Sequence, residues 1–583
     1  MSVFAGIVSR KPGVGVPVEW SDALKKAISR RRAPLAVFAD ERSFLLKSDF
    51  GAFLEPAFRQ DPSGTFSMLV GEPLLSSTEQ GRGPSRARDL ECLHRAWDED
   101  KWDILKQVRG IFAAAYYQPK TGTLFLIADK LGLRPIYYWS NDSWIVFSSV
   151  LRIMESMPFV PKVMSFRSVT EIACFGFPIG ARSAYENVWT IKAAEVVRFD
   201  PSHHSSQQYW RWDSIPVSRR PERELLQEAH ERFLEAVRCR LHGDQITTSF
   251  LSGGLDSRCV VAALCGLTRK VHTLNCSFPN TQDRIFGAEY ARIMGTLHRE
   301  DETMISNPDF FQRLSDFWET DTSRKDWPPE RPRLIWSGDG GSVGMGHVYM
   351  TSRVVDLLRQ GKLEEAIGEF LRGENKHIVA KLLKPDALAA AFSVLEQGIR
   401  EELSDLHCED PGRNLFLFLL LNDQRRHLAN QYERIDNSQI DYIEPFYDSD
   451  FLAFITSVPL DLCLFHRFYN KWLKLFQEPV SSLPWQSYPG HEPCPVPLPN
   501  GLASQWDRDQ KPFLEDKLRR ELLKDSMLLL QRNDFPDPLL NKVYLRLAYS
   551  VYRWNLRDYS YVLETALVYG RYWRVCEAKF VLS

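Results

Sequence analysis

The stretch that decides the fold is "SFLSGGLDSRCVVAAL", residues 249–264. The residues before it, "ITTSFL", are β-branched and apolar and suit a buried strand. Gly253 and Gly254 permit backbone angles that other residues resist, and they let a ligand approach the main chain closely. From Ser257 onward "SRCVVAALC" has helical character, with Asp256 and Ser257 near its start. Strand, glycine turn and helix N-terminus together present free N–H groups and a partial positive charge, which is an anion site. Asp256 at the rim would repel a phosphate unless a cation stood between them. The turn therefore predicts a phosphate chain held with Mg²⁺, a hard ion that prefers carboxylate and phosphate oxygens. The G-K-[ST] ending of a Walker A loop is absent.

Working outward, 583 residues are too many for one ordinary core, so two or three domains are expected. A formal net charge of −2 gives no bulk field to recruit nucleic acid or an anionic membrane. None of the ten cysteines forms a C-x-x-C pair or keeps zinc-finger spacing with histidine. They read as reduced thiols, and no structural metal is expected. The start "MSVFAGIVSRK" lacks the pattern of a signal peptide. The apolar run "LFLFLLL" (415–421) is far short of the roughly 20 residues that span a bilayer. It predicts a buried helix, and the protein is expected to be cytoplasmic with no membrane or nucleic-acid partner.

Residues 1 to about 150 alternate short apolar runs with turn residues and read as β-rich, with one helical interruption at "DLECLHRAWDEDKWDILKQV". After about residue 212 helical periodicity dominates, broken by strand-like "ITTSFL" and "VHTLNCSF". The boundary is placed there, giving domains 1–211 and 212–583. The Pro- and Gly-rich segment 483–501 must be a loop, and the tail beyond 510 is helical and aromatic-rich.

"LSGGLDS" (251–257) resembles the PP-loop of the ATP pyrophosphatases, specifically the asparagine synthetase branch. The likeness extends in family order to 108–149, to "SGDGGSVGMGHVY" (337–349) and to "IDYIEPFYDSDFLAF" (440–454). It implies an α/β plus α+β protein: an N-terminal Ntn-hydrolase-like glutaminase domain built as a β-sandwich, then a PP-loop domain with a parallel sheet and many helices. It also implies that ATP is split to AMP and pyrophosphate, that a carboxylate becomes an acyl-adenylate, and that an amine attacks it. Leu251, Ser252, Gly253, Gly254, Leu255, Asp256, Ser257, Ser337 and Gly338 would hold ATP, and Asp256 and Asp339 would hold Mg²⁺.

Departures from the family pattern and alignments with it shape the reading. The family's nucleophilic cysteine after Met1 is here Ser2, and its RGPD and NGE strings are reduced to "RRAP" (31–34) and "VGE" (70–72), so the first domain is expected to be an inactive scaffold. Where the family has Asp-Glu, this chain has Ser342 and Val343, which puts the second metal carboxylate in doubt. Asp339 or Asp441 would serve as general base. Lys471, in "HRFYNKWLKLF" (466–476), would stabilise charge developing on the acyl oxygen and the α-phosphate. Arg425, Arg426 and His427 are candidates to meet phosphates.

The string around Trp485, Tyr488 and His491 resembles that of the lasso-peptide cyclases of this superfamily. The resemblance implies adenylation of an Asp or Glu side chain in a precursor peptide and closure of a macrolactam by the peptide's α-amine. A leader peptidase and a leader-binding protein would be partners. The alternatives are an asparagine synthetase-like or β-lactam synthetase-like enzyme acting on a small substrate, and an inactive nucleotide-binding scaffold.

Overall fold

The strand β1 (Ser2–Ser9) is buried along its whole length, and its alternation explains the first domain. Val3, Ala5 and Ile7 enter one core while Phe4 and Val8 enter another, as the two-residue period of a strand requires. This computed structural model describes residues 2–28, 35–49, 52–53, 55, 57–75, 85–301, 334–373, 379–435, 440–504 and 512–581, with the backbone alone for 512–517.

β1 lies in a six-stranded antiparallel sheet with β2 (Leu35–Ala39), β3 (Ser43–Asp49), β8 (Tyr137–Ser140), β9 (Trp144–Ser148) and β11 (Val188–Thr190), ordered β11-β8-β9-β1-β3-β2. A second antiparallel sheet runs β13-β12-β7-β6-β5-β4. Its strands are β4 (Phe58–Gln60), β5 (Phe66–Gly71), β6 (Phe112–Gln118), β7 (Thr123–Ala128), β12 (Glu195–Phe199) and β13 (His204–Gln208). The two sheets meet through Phe4, Phe147, Met68, Tyr117 and Leu126. The helix Arg86–Asp98 covers the far face of the second sheet, where Leu93 and Trp97 meet Phe112 and Tyr116.

The second region carries a five-stranded parallel sheet, β16-β15-β14-β17-β18. Its members are β14 (Ile246–Phe250), β15 (Lys270–Asn275), β16 (Leu297–Glu300), β17 (Leu334–Trp336) and β18 (Asp441–Ile443). Chain order runs outward from β14 in one direction and then resumes on its other side at β17. This reversal is a topological switch point, and a crevice opens at the carboxyl ends of these strands. β14 ends at Phe250 and β17 at Trp336, so "LSGGLDS" and "SGDGG" both emerge into that crevice. The run 415–421 forms a buried helix that passes through a π-turn (Leu419–Gln424) into the helix Arg425–Arg434.

Buried ionic contacts join the two regions. Arg109 and Arg240 both donate to the fully buried Asp448. The C-terminal helices Lys542–Arg553 and Ser560–Val575 do not complete the parallel-sheet core. Leu545, Leu563, Ala566 and Trp573 bury in one cluster with Val3, Ile7, Leu46 and Val169 of the first sandwich. The short strand β19 (Phe580–Val581) pairs in parallel with β10 (Met164–Ser165).

Candidate active site

The glycine turn after β14 is built for close approach. A Cβ on Gly253 would sit 2.5 Å from the Gln282 carbonyl, and one on Gly338 would sit 2.5 Å from the Ser257 nitrogen. One on Gly341 would sit 2.6 Å from the Asp256 carboxyl carbon. The two motifs are therefore interlocked through glycines that no larger residue could replace without moving backbone. Gly254 is the N-cap of the helix Leu255–Leu267 and supplies no side-chain cap, which leaves the first-turn amides for an anion. Gly253 N–H is occupied by Asp283 Oδ1 at 3.1 Å and Gly254 N–H by Ser252 Oγ at 3.2 Å, contacts that a phosphate would displace.

Asp256 is held by three donors: Ser342 N–H (2.8 Å), Ser342 Oγ (2.9 Å) and Tyr469 O–H (2.7 Å). Burial, with the charge of Asp339 adding to it, pushes its carboxyl up to about 6 despite those bonds. Burial and Asp256 itself keep the Tyr469 phenol protonated. Ser342, standing where an Asp was expected, thus spends its hydroxyl on the opposite carboxylate. Two carboxylate oxygens offer about four lone-pair positions, so Asp256 retains one. Mg²⁺ takes one or two carboxylates together with phosphate oxygens and waters. Asp256 and Asp339, repelling each other across the crevice, fit that reduced set. Around Asp339, Glu444 is raised to about 8 by burial and by the Asp339 charge, and Tyr432 donates to it at 2.5 Å.

The site residues read from sequence divide in two. Leu251, Ser252, Gly254, Leu255, Asp256, Ser257, Ser337, Gly338 and Asp339 line one cavity of about 1470 Å³, with Gly253 behind them. Asp441 and Lys471 do not line it. Asp441 is fully buried and paired with Arg134 of the first domain at 2.6 Å. On β18 the next residue, Tyr442, faces the cavity and Asp441 faces the other way. Lys471 points out of the fold, half exposed, and pairs with the partly exposed Glu222 at 2.8 Å. On its helix Phe468, Tyr469 and Trp472 are buried, so position 471 falls on the opposite face. Of the basic residues 425–427, Arg426 and His427 line the cavity and Arg425 does not. Arg425 and Arg426 are buried and donate to backbone carbonyls of the first domain, among them Gly180 for each and Gly132 for Arg425.

Tyr469 and Arg258 are the residues that sequence reasoning missed. Arg258 donates to the carbonyls of Val480 and Pro484 and to that of Gly254, tying the loop after 480 to the glycine turn. Gln486 N–H reaches the Gly253 carbonyl at 3.1 Å. Tyr488 lines the cavity as expected, and His491 is hydrogen-bonded through Nδ1 to His466 Nδ1 at 2.7 Å. His466 and its neighbour Phe465 are both left-handed (φ 63° and 59°), a local strain held by this packing. Burial, then the adjacent His491, pushes His466 down to about 3, so it is neutral.

The cavity does not stop at the nucleotide end. It continues along the helix Arg425–Arg434, past His427 and Asn430, to Phe177 and Ala184 of the first domain and to Arg571 and Tyr572. In the first domain Ser2 is buried. Arg86 donates to it at 3.2 Å and also pairs with Asp49 at 2.9 Å, which takes Lys47 at 2.9 Å. Burial pushes Lys47 down to about 8. Glu72 of "VGE" pairs with His242 of the second region at 2.8 Å, while "RRAP" lies outside the described residues. A packed ion cluster therefore occupies the surroundings of Ser2.

Residues 76–210 match a glutamine amidotransferase domain, and residues 228–326 match asparagine synthase. Together the two matches cover 234 of the 583 residues. A putative glutamine-hydrolyzing asparagine synthetase 2 of Methanocaldococcus jannaschii is 27% identical over 202 residues, covering 33% of this chain and 39% of the relative. Glutamine-hydrolyzing asparagine synthetase 3 of Bacillus subtilis is 26% identical over 228 residues, covering 37% of each. Amidase chry2 of Gibberella zeae is 24% identical over 188 residues, covering 31% of this chain and 27% of the relative. The aligned portions thus span less than two-fifths of these relatives. Among solved structures, a glutamine phosphoribosylpyrophosphate amidotransferase of B. subtilis aligns at TM-score 0.26 and 11% identity, over 52% of this chain and 90% of that one. Among the described residues no single helix is long and apolar enough to cross a membrane.

Proposed function

We propose that the chain is an ATP-dependent, AMP-forming amide ligase that closes a macrolactam, in the manner of lasso-peptide cyclases. The observation that carries this reading is the cavity. Small-molecule sites occupy roughly 300–1,000 Å³, and about 1470 Å³ reaching from the glycine turn to the first domain leaves room for a peptide beside ATP. The ion cluster around Ser2 supports an amine that comes from the substrate rather than from glutamine.

In this reading the glycine turn and the first-turn amides of Leu255–Leu267 hold the phosphates. Asp256 and Asp339 hold Mg²⁺, which offsets phosphate charge when bound. Adenylation of an Asp or Glu side chain in the precursor releases pyrophosphate, and the peptide's α-amine then displaces AMP. Where Asp256 alone holds the ion, Asp339 is the proposed acceptor of the amine proton. Holding amine and acyl carbon together can supply roughly 7–11 kcal/mol of the barrier. Trp485, Gln486 and Tyr488 form the wall that selects what is activated. A leader peptidase and a leader-binding protein are the proposed partners.

A small-substrate ligase is the second reading, favoured by the relatives named asparagine synthetase. ATP–pyrophosphate exchange separates the two. Exchange stimulated by a leader-free core peptide, with a product lighter by one water, is expected. Exchange with free aspartate and none with peptide would reject the cyclase.

A further inference from the structure

On the outer rim of the first domain, away from the cavity, three potential ligands converge. Asp61 follows β4, and His94 and Asp98 stand one turn apart on the helix Arg86–Asp98. His94 Nε2 is 3.1 Å from Asp61 Oδ2 and 3.4 Å from Asp98 Oδ2, and one ligand atom from each residue lies within 4.8 Å of the others. His94 is 1% exposed, and its Nε2 stands at ion-pair distance from both carboxylates without the alignment of a hydrogen bond to either. A buried imidazole nitrogen is therefore aimed between two carboxylates.

The surroundings orient this group. Ser67 Oγ lies 2.7 Å from His94 Nδ1, so Nδ1–H can donate to it and leave a bare lone pair on Nε2. Tyr116 O–H donates to the other oxygen of Asp98. Burial and that bond keep the phenol protonated, hence a donor. Arg59 approaches the other oxygen of Asp61 at 3.3 Å. Two anions and a lone pair facing one point repel unless a metal cation, or a proton on Nε2, sits there. Ligands about 2.0–2.2 Å from a tetrahedral ion lie about 3.4 Å from one another, which the 3.1 and 3.4 Å separations approach. Asp61 and Asp98 remain partly exposed, so water can complete the shell.

We propose that His94, Asp61 and Asp98 form a site for a borderline divalent ion such as Zn²⁺, which clamps the helix Arg86–Asp98 to the β4 edge of the sandwich. The mixed imidazole and carboxylate set suits such an ion, and the proposal departs from the sequence expectation of no structural metal. That expectation rested on cysteine and histidine spacing, whereas this set is one histidine with two carboxylates distant in sequence.

The test uses the full chain, stripped with chelator and titrated with Co²⁺ under excess Mg²⁺ to fill hard-ion sites. The expected result is one equivalent bound, seen in the visible Co²⁺ spectrum and displaced by Zn²⁺. Affinity should fall at least tenfold in His94→Gln and in Asp98→Asn. Circular dichroism and ATP–pyrophosphate exchange report that each variant is folded, and Asp61→Asn serves if His94→Gln is not. Absence of binding, or equal binding by wild type and folded variants, would overturn the site and leave a triad held by a proton.

Discussion

Asp441→Asn separates a chemical role from an architectural one. Asp441 is 0% exposed and 2.6 Å from Arg134, itself 3% exposed. At an effective dielectric of 20 the attraction across that distance is about 6 kcal/mol before desolvation is subtracted. Removing one partner of a buried pair costs about 3–5 kcal/mol, because the other charge is left uncompensated. Two further nitrogens of Arg134, Nε and Nη1, have no partner to take over. The variant should therefore unfold at a distinctly lower urea concentration, while molecules that remain folded keep ATP–pyrophosphate exchange within a few-fold of wild type. Arg134→Met combined with Asp441→Leu should recover most of the stability, since an apolar pair of similar volume avoids the desolvation cost. An unchanged unfolding midpoint together with exchange reduced a hundredfold would refute the reasoning and return Asp441 to the chemistry.

Ser342→Asp places a second carboxylate against Asp256, so thermal stability without Mg²⁺ should fall and Mg²⁺ should stabilise the variant more than wild type, read by calorimetry at matched ion concentrations. Asp256, raised from 3.8 to about 6, adds most to folded stability below about pH 4 and loses that contribution as pH rises through 6. ATP capture needs the ionised form, so kcat/KM for exchange should drop below about pH 6, and the break in kcat should lie at lower pH because the bound cation favours the carboxylate. Lys471→Met removes an exposed pair worth about 0–1 kcal/mol, and exchange rates should stay within twofold.

The parts of the site legible in the sequence were those written locally. A β-branched run, two glycines and a helix start specify the phosphate turn without help from elsewhere, and "SGDGG" lies against it through its glycines. The metal doubt raised by Ser342 was also local, and the structure gives it a cause in the Ser342–Asp256 bonds. Positions inferred from alignment fared differently because alignment gives chain position and not facing. Lys471 is two residues from Tyr469, which on a helix is nearly the opposite side. Asp441 is satisfied by an arginine 307 residues earlier, a contact no local pattern announces. Arg425 and Arg426 stood only as candidates to meet phosphates, and their carbonyl partners in the first domain are remote in sequence. The wide cavity was invisible in the sequence because its walls come from both domains and the tail.

The tail has a consequence for biosynthesis. The face of the first sandwich that carries Val3, Ile7 and Leu46 is covered by residues 529–576, and β10 waits for β19 near residue 580. A ribosome delivers those residues about 300 positions after the first domain, at about 5–20 per second, so that domain must stand for tens of seconds with an apolar face open to water. The nascent chain thus presents a long-lived surface for chaperones. A gene cut at the domain boundary should yield an insoluble product even though every strand of the two large antiparallel sheets is present.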